Sequence, residues 1–326
     1  MEPRLLANPR VLYICGWGRS GTTIVDRILG ETPGLLSIGE LRSLWDHDPV
    51  QQRCGCGSTI SACPVWGPIL ESLESVSGMT HEEVRHLRET AARSRHLIGL
   101  RFVANRRSRP GNQLAARYGD VLVGIYRALT RITGASIIVD SSKHPAEALL
   151  LAGRSDVDVT VLHLVRDPRA VAFSWSRPDR NARTSRPVAD LPPERGAMSS
   201  SAWWTTWNGA IELLVGPLLK SRYIVLRYED VMADTRGTLG TVVQRLGGSA
   251  ADLPLVTPGE VTLGVAHTVA GNPNRMELGT VRLEVDHEWE TRMDQSLRRR
   301  ATLPALPLLR HYGYGTGSSL STGQAG

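Results

Sequence analysis

Short runs of apolar residues, each followed by a polar loop, alternate along the chain with longer amphipathic segments. The runs are rich in Val, Ile and Leu, which is typical of strands buried on both faces of a parallel sheet. In the longer segments, apolar positions recur at helical spacing. The predicted strands are Val11–Cys15, Ser136–Val139, Val159–Val165 and Tyr223–Leu226. The predicted helices are Thr22–Leu29, Pro68–Ser75, Thr80–Ile98, Leu114–Ile132, Pro145–Ala152, Trp203–Leu219 and Trp289–Arg300.

This alternation predicts an α/β fold in which helices flank a central parallel sheet, with ligands at the carboxyl ends of the strands. We expect one domain over residues 1–314 and a disordered Gly/Ser/Thr-rich tail over 315–326. Residues 49–135 are predicted to form a helical insertion, whose basic run Arg101–Arg109 is either a solvated face or a site for an anionic acceptor or lipid. The polar residues 176–201 are predicted to form an acceptor loop.

Composition narrows the class of protein. With 326 residues, 41% of them hydrophobic, the chain can bury a core. It has no apolar run long enough to span a membrane and no export signal at its start, so a cytoplasmic location is expected. The net charge of +6 favours an anionic ligand over a nucleic-acid track. Lys143 and Lys220 are the only lysines, and this arginine bias indicates a GC-rich, bacterial coding sequence.

A candidate phosphate-binding loop follows the first strand. The glycines of Gly16–Thr23 have the spacing of a P-loop, G-x-x-x-x-G-K-S/T, but Thr22 stands where the lysine would be. The loop N–H groups and the helix N-terminus still favour a phosphate, whereas the cation that grips a β,γ-phosphate is missing. A single 5′-phosphate therefore fits better than a triphosphate. The alternative to a phosphate site is a strand-to-helix turn that binds no ligand. The candidate residues are Gly18, Arg19, Ser20, Gly21, Thr22 and Thr23.

A second anion site is predicted at the end of the Val159–Val165 strand. That strand delivers Arg166 to the sheet edge, and a helix beginning near Pro168 carries Ser174 on its second turn. An arginine and a hydroxyl can together clamp a phosphate. Alone, the corner would more typically be a surface ion pair, but beside the phosphate loop it favours a ligand with two phosphates.

These motifs resemble those of sulfotransferases that use 3′-phosphoadenosine 5′-phosphosulfate (PAPS), especially the carbohydrate and tyrosylprotein types. The matching segments are Gly18–Thr23, Val165–Ser174, Leu226–Asp230 and Gly271–Arg275. The resemblance implies a P-loop NTPase-like three-layer sandwich. It implies that the first segment cradles the 5′-phosphosulfate and the second binds the 3′-phosphate. It also implies that Tyr228 contacts the cofactor and that 268–275 closes over it, through Gly271, Asn272 and Arg275.

The resemblance also implies catalytic roles for Glu40 and Lys143. Glu40 stands in a Gly-Glu setting like that of the base in tyrosylprotein-type enzymes, and one strand–helix–strand unit can return it to the loop. Alternatively, Glu40 caps the next helix. Lys143 resembles the lysine that stabilises the leaving phosphate in these enzymes, and a solvated surface lysine is the alternative. Arg19 is expected to supply further positive charge from inside the loop and, with Lys143, to stabilise the leaving oxygen.

Other titratable residues offer competing roles. His144 and His267 are rival bases, although each is more typical of a structural histidine. Asp140 has the position of an acid that holds Mg²⁺ in P-loop NTPases. A sulfuryl group carries less negative charge than a phosphoryl group, so we predict a reaction that needs no metal.

Three nearby cysteines and a tryptophan-rich helix have open interpretations. Cys54, Cys56 and Cys63 are expected to be reduced loop residues, with a disulfide or a zinc site completed by His47 as alternatives. Trp203, Trp204 and Trp207 have the spacing of core residues, and an acceptor platform is the alternative.

The predicted activity is transfer of a sulfuryl group from PAPS to a hydroxyl of a glycan, glycolipid or small-molecule acceptor such as a secondary metabolite. A degenerate P-loop kinase that acts on a small molecule with ATP and Mg²⁺ is one alternative. The other is a module that binds 3′-phosphoadenosine nucleotides without turnover.

Overall fold

A five-stranded, fully parallel sheet forms the centre of the computed structural model, which describes residues 7–93, 97, 113–177 and 196–315. Its strand order, β2-β3-β1-β4-β5, confirms the predicted α/β fold with a central parallel sheet. The strands are β1 (Arg10–Cys15), β2 (Leu35–Gly39), β3 (Ile137–Lys143), β4 (Asp158–Val165) and β5 (Tyr223–Arg227). Four of them match predicted strands. Sequence patterning missed β2, a short edge strand bounded by glycines.

Helices cover both faces of the sheet. The helices are α1 (Thr22–Gly30), α2 (Trp66–Ser77), α3 (His81–Ala91), α4 (Gln113–Thr133), α5 (Pro145–Ala152), α6 (Pro168–Trp175), α7 (Ala197–Ala210), α8 (Gly216–Leu219), α9 (Tyr228–Ala233), α10 (Thr235–Arg245), α11 (Glu288–Arg292) and α12 (Gln295–His311). Alternation along β1 sends Tyr13 into a core shared with α2, α4 and α5, and Leu12 and Ile14 into a core shared with α1, α9 and α10. None of the described helices is long and apolar enough to cross a membrane.

Three predicted helices have different bounds in the structure. Thr80 caps α3 through a capping box, and the helix ends at Ala91 rather than at Ile98. The tryptophan-rich helix begins at Ala197, inside the predicted acceptor loop, and passes through a π-helical turn over Ile211–Val215. The last predicted helix is two helices, because Asp294 interrupts it and caps α12.

A small antiparallel sheet, absent from the prediction, lies beside α1. It consists of β6 (Leu255–Thr257), β7 (Glu260–Leu263) and β8 (Gly279–Arg282). The chain between β7 and β8, residues 264–278, forms a covering segment over α1 and the phosphate loop. The basic run Arg101–Arg109, most of the predicted acceptor loop and nearly all of the predicted tail fall outside the described residues.

Candidate active site

The phosphate loop joins β1 to α1 and is held in shape by close backbone approaches. Gly21 has a φ of 82°, and a Cβ there would lie 2.2 Å from Cδ2 of Tyr228. A Cβ on Gly18 would lie 3.0 Å from the ring of Trp175. Arg19 also adopts a left-handed φ, 70°, which is uncommon for a residue other than glycine. The loop therefore keeps its glycines for geometric reasons and presents its N–H groups at the start of α1.

Ser20, in this loop, has a buried hydroxyl without a partner. The residue is 0% exposed, and its Oγ forms no hydrogen bond with any described residue. An unpaired buried hydroxyl is costly, and an anionic oxygen bound in the loop would accept its proton. Thr22 is buried in the first turn of α1, where the helix N-terminus favours negative charge. The residues present therefore fit a bound phosphate.

Arg166 lies beside the phosphate loop, as predicted for a second anion site. Its Nη1 donates to the Arg19 carbonyl at 3.1 Å, and its guanidinium stacks on the Tyr228 ring at 4.6 Å. Its Nη2 is 3.1 Å from Oδ2 of Asp286, a partner that the sequence analysis did not identify. Ser174 is buried near the end of α6. The structure thus places an arginine, an aromatic ring and the loop together.

The covering segment is tied to the phosphate loop by side-chain hydrogen bonds. Arg19 Nη1 donates to Oδ1 of Asn272 at 3.0 Å, and the Asn272 N–H donates to Oγ1 of Thr23 at 3.3 Å. A Cβ on Gly271 would lie 3.4 Å from the same Oγ1. Arg275 Nη1 donates to the carbonyl of Thr268 at 2.9 Å. The predicted closing residues therefore lie where a ligand of the loop would be covered.

A buried arginine on α1 anchors this segment, and sequence reasoning missed it. Arg27 is 1% exposed, and its Nη2 donates to the carbonyls of Gly264 at 2.6 Å and Glu277 at 3.2 Å. Its Nη1 donates to the carbonyl of Arg275. Glu31, one turn later, lies 3.7 Å from the guanidinium. A charged residue within the apolar face of α1 was the signal that could have identified it.

Glu40 and Lys143 form an ion pair at the ends of the neighbouring strands β2 and β3. Glu40 precedes a 3₁₀ turn over Leu41–Trp45 but makes no side-chain cap hydrogen bond there, so its interpretation as a helix cap is wrong. The side chains of the pair are 19% and 16% exposed, so both reach solvent. Lys143 is mostly buried and paired with Glu40, which differs from the alternative of a solvated surface lysine. A carboxylate and an ammonium group are thus brought together at the carboxyl ends of two neighbouring strands.

The two histidines proposed as rival bases have other partners. The side chain of His144 caps α5 by accepting a hydrogen bond from the Ala146 N–H at 3.2 Å. Burial, with Arg42 and Arg88 nearby, lowers the pKa of His144 to about 2, so its ring is neutral near pH 7. Nδ1 of His267 lies 3.2 Å from the Cys63 sulfur. Neither ring is arranged as a base beside the phosphate loop.

Asp140 is a buried structural acid rather than a metal ligand beside the loop. The Tyr126 hydroxyl donates to Oδ2 at 2.6 Å, and the Ser142 N–H donates to Oδ1 at 2.9 Å. Burial raises the pKa of Asp140 to about 7 despite these hydrogen bonds. Both oxygens are therefore directed to protein groups.

Three tryptophans form a wall next to Lys143. Trp17, in the phosphate loop, stacks on Trp203 with ring centroids 6.4 Å apart and meets Trp207 edge-on at 5.2 Å. Trp207 Nε1 donates to the Lys143 carbonyl at 3.3 Å, while Trp203 is 46% exposed. Trp204 is instead buried in the core. Trp204 is thus a core residue, whereas Trp203 and Trp207 lie in the wall, the position in which an acceptor platform would be expected. The sequence analysis did not identify Trp17 as part of the wall.

Cys54, Cys56 and Cys63 converge on His267. One ligand atom from each of these four residues lies within 4.8 Å of the other three. All the cysteines are free thiols. His47, the fourth ligand considered from sequence, is exposed and lies outside the group, so that assignment is wrong.

One comparison with solved structures agrees with the fold. The chain is similar to the sulfotransferase domain of the olefin synthase from Synechococcus PCC 7002, with 21% identity and a TM-score of 0.52, over 94% of this chain and 97% of that domain. It is also similar to a sulfotransferase domain from the curacin biosynthetic pathway, with 16% identity and a TM-score of 0.49, over 95% of this chain and all of that domain. The comparison with curated proteins gives no match.

The family assignment comes from a match over most of the chain. A model of the sulfotransferase family matches residues 10–252, from β1 to the end of the 3₁₀ turn that follows α10. The match includes the phosphate loop, Arg166 and the Glu40–Lys143 pair. The chain belongs to the sulfotransferase family.

Proposed function

We propose that the protein transfers the sulfuryl group of PAPS to a hydroxyl of a glycan, glycolipid or small-molecule acceptor in the cytoplasm. The observation that carries this proposal is the Glu40–Lys143 pair beside a phosphate loop that lacks the P-loop lysine. Such a loop does not grip a triphosphate tightly, whereas the pair supplies the proton acceptor and the cation that sulfuryl transfer requires.

The donor would be held through both of its phosphate groups. The N–H groups of the loop and the hydroxyl of Ser20 suit the 5′-phosphate. Arg166 and Ser174 suit the 3′-phosphate, because a guanidinium and a hydroxyl can together clamp phosphate oxygens. Tyr228 stacks on that guanidinium, and the covering segment would close the site through Gly271, Asn272 and Arg275.

Side chains of the protein then remove a proton from the acceptor and stabilise the leaving group. Glu40 takes the proton of the acceptor hydroxyl as that oxygen attacks sulfur. Lys143 and Arg19 stabilise the charge that develops on the bridging oxygen when its bond to sulfur breaks. Bound PAPS supplies the sulfuryl group, and its bisphosphate is the leaving group. No residue in this scheme requires a metal ion to take part.

The tryptophan wall indicates the shape of the acceptor. Trp17, Trp203 and Trp207 present indole surface next to Lys143. Sugar rings and aromatic rings both stack on indoles, since each offers a flat apolar face. We therefore propose an acceptor with a ring close to the hydroxyl that receives the sulfuryl group.

Calorimetric titration tests the donor site. We expect 3′-phosphoadenosine 5′-phosphate (PAP) to bind at micromolar concentration or below, and adenosine 5′-phosphate and ATP with Mg²⁺ to bind far more weakly. Binding of ATP without binding of PAP would contradict the proposal and favour the kinase.

A turnover assay separates the enzyme from a sensing module. With ³⁵S-labelled PAPS and a panel of phenols, sugars and glycolipids, we expect label in at least one acceptor class. The Glu40→Gln variant should bind PAP normally and transfer label about 10²–10⁴-fold more slowly than the wild type. A wild-type chain that binds PAP and labels none of the acceptors would favour the sensing module.

A further inference from the structure

The cluster of Cys54, Cys56, Cys63 and His267 has the dimensions of a tetrahedral metal site. The sulfurs of Cys56 and Cys63 are 3.9 Å apart, and the Cys63 sulfur is 3.2 Å from Nδ1 of His267. With Zn–S near 2.3 Å and Zn–N near 2.0 Å, tetrahedral ligand atoms lie about 3.5–3.8 Å from one another. These two distances are close to the tetrahedral values, and every pair of the four ligand atoms lies within 4.8 Å.

A disulfide does not account for this arrangement. The separation of 3.9 Å between the Cys56 and Cys63 sulfurs is far from the bond length of about 2.05 Å. All the cysteines are free. A bond between any two of the cluster's sulfurs would also leave the third thiol and the imidazole without a reason to converge.

The backbone around the cysteines orients the sulfurs. The Cys54 N–H donates to the Ser58 carbonyl at 2.9 Å, and the Gly57 N–H donates back to the Cys54 carbonyl at 3.0 Å, which closes a tight turn. Cys63 is fixed at the entry to α2, where its carbonyl accepts from the Gly67 N–H at 2.8 Å. The thiols are therefore directed by local structure.

A second set of hydrogen bonds holds His267 against the cysteine loop. Trp66 Nε1 donates to the His267 carbonyl at 2.7 Å, and the Gly55 N–H donates to the Thr268 carbonyl at 2.9 Å. Outer contacts of this kind fix the orientation of metal ligands. Residues distant in sequence are thus held together from two sides.

We propose that this chain binds one zinc ion through Cys54, Cys56, Cys63 and His267. Thiolate and imidazole ligands in a tetrahedral arrangement suit Zn²⁺, and four protein ligands close the site, which is typical of a structural zinc. On binding, Zn²⁺ displaces the three thiol protons to solvent, so uptake weakens as the pH falls.

The ion would join the cysteine loop to the start of the nucleotide-covering residues. His267 directly precedes Thr268–Arg275, which carry the predicted donor contacts. Arg275 Nη2 in turn donates to the Arg53 carbonyl, next to Cys54, at 2.9 Å. Zinc thereby positions the covering segment without touching the donor. This consequence for donor binding rests on the proposed function, whereas zinc binding itself does not.

Metal analysis of the wild-type chain is the primary test. The full chain, purified under reducing conditions without chelators, is expected to contain one zinc per chain by mass spectrometry. X-ray absorption at the zinc edge should show three sulfur ligands and one nitrogen ligand. Absence of zinc together with no uptake of added Zn²⁺, a disulfide within the cluster, or a shell of oxygen and nitrogen ligands only would each overturn the proposal.

Variants with matched controls assign the ligands. Cys56→Ser and His267→Gln are expected to weaken zinc binding by at least about 100-fold, since loss of an outer-shell partner alone costs about 10–100-fold. Cys15→Ala and His47→Gln, which alter residues outside the cluster, should retain one zinc. Equal zinc content in all four variants would contradict the assignment. Should a variant fail to fold, titration of the metal-free wild type with Co²⁺ gives the answer, through thiolate-to-cobalt absorption that Zn²⁺ abolishes.

The effect of zinc on donor binding is measured separately from zinc binding itself. Removal of zinc by a chelator is expected to weaken PAP binding in the wild type and to leave PAP binding by a zinc-free His267→Gln variant unchanged. Zinc without PAP binding would contradict the proposed function alone, and PAP binding without zinc would contradict the metal site alone.

Discussion

Asp26 is expected to make the protein less stable as the pH rises. It lies buried on α1, where the Ser37 hydroxyl donates to its Oδ2 at 2.7 Å. Burial raises its pKa from 3.8 to about 7, and the hydrogen bond from Ser37 only partly opposes this shift. The unfolded chain loses the proton near pH 4, whereas the folded chain keeps it until near pH 7. The contribution of Asp26 to the free energy of unfolding therefore falls between these pH values and is constant above them.

The size of the effect follows from the two pKa values. One pKa unit corresponds to about 1.4 kcal/mol, so the full shift of roughly three units costs up to about 4 kcal/mol. Between pH 5 and pH 8 only the part up to the folded-state pKa remains to be lost, which is about 3 kcal/mol. Asp26→Asn keeps an oxygen for Ser37 and has no proton to lose, so this contribution should vanish.

Urea unfolding followed by circular dichroism at pH 5 and pH 8 measures this pH-dependent contribution of Asp26 to stability. Wild type and Asp26→Asn are compared with Asp230→Asn, which alters an exposed acid. Other buried groups, including Asp140 and His163, titrate in all three proteins, so the comparison isolates the contribution of Asp26 together with its electrostatic coupling to Asp140. We expect a smaller loss of stability on going to pH 8 in Asp26→Asn only. An equal loss in Asp26→Asn and wild type would refute the reasoning.

Further predictions concern the active site. Glu40→Gln should lower kcat by about 10²–10⁴-fold in the radiolabel assay while PAP affinity measured by calorimetry is unchanged. Arg166→Ala should weaken PAP by about 10–100-fold and adenosine 5′-phosphate hardly at all, because a hydrogen bond to a charged group contributes about 1.5–3 kcal/mol; equal losses would contradict the 3′-phosphate assignment. Asp286→Asn should tighten PAP selectively in the same titration, since a carboxylate competes with phosphate for the guanidinium. Trp203→Ala should raise the acceptor KM and leave the PAPS KM unaltered, and a change confined to PAPS would rule out an acceptor wall.

The fold could be predicted where the apolar residues of a single strand or helix form a clear pattern on their own. The strands β1, β3 and β4 contain runs of Val, Ile and Leu because both of their faces are buried. The edge strand β5 has a similar run, Ile224–Leu226, although Val225 is exposed. The edge strand β2 is short, contains Ser37 and lies between glycines, so its run of apolar residues is weak. The strands β6, β7 and β8 have three or four residues each and mostly exposed side chains, which leaves too few buried positions to set a period.

The same distinction applies to the site. The turn of the glycine-rich loop and the position of Arg166 beside it could be predicted because each depends on one contiguous stretch of sequence. The roles of Arg27, Trp17 and His267 depend on segments far away in sequence. Arg27 binds carbonyls of the covering segment, and His267 meets Cys63 across 204 positions. Spacing within one stretch cannot encode such contacts, and His47, nearer in sequence, was therefore the wrong choice.

The covering segment links the parts of the site that the sequence presents separately. The Val269 N–H donates to the Ile38 carbonyl at 2.9 Å, two residues before Glu40. A few residues later, Asn272 contacts Thr23 and Arg19 of the phosphate loop. The same backbone braces the strand that leads to Glu40 and covers the phosphate loop, so under the proposed function loosening it should impair PAP affinity and kcat together. Under the same proposal, substitution of Glu40 removes only the proposed proton acceptor, so the two kinds of change are separable by their effect on PAP binding.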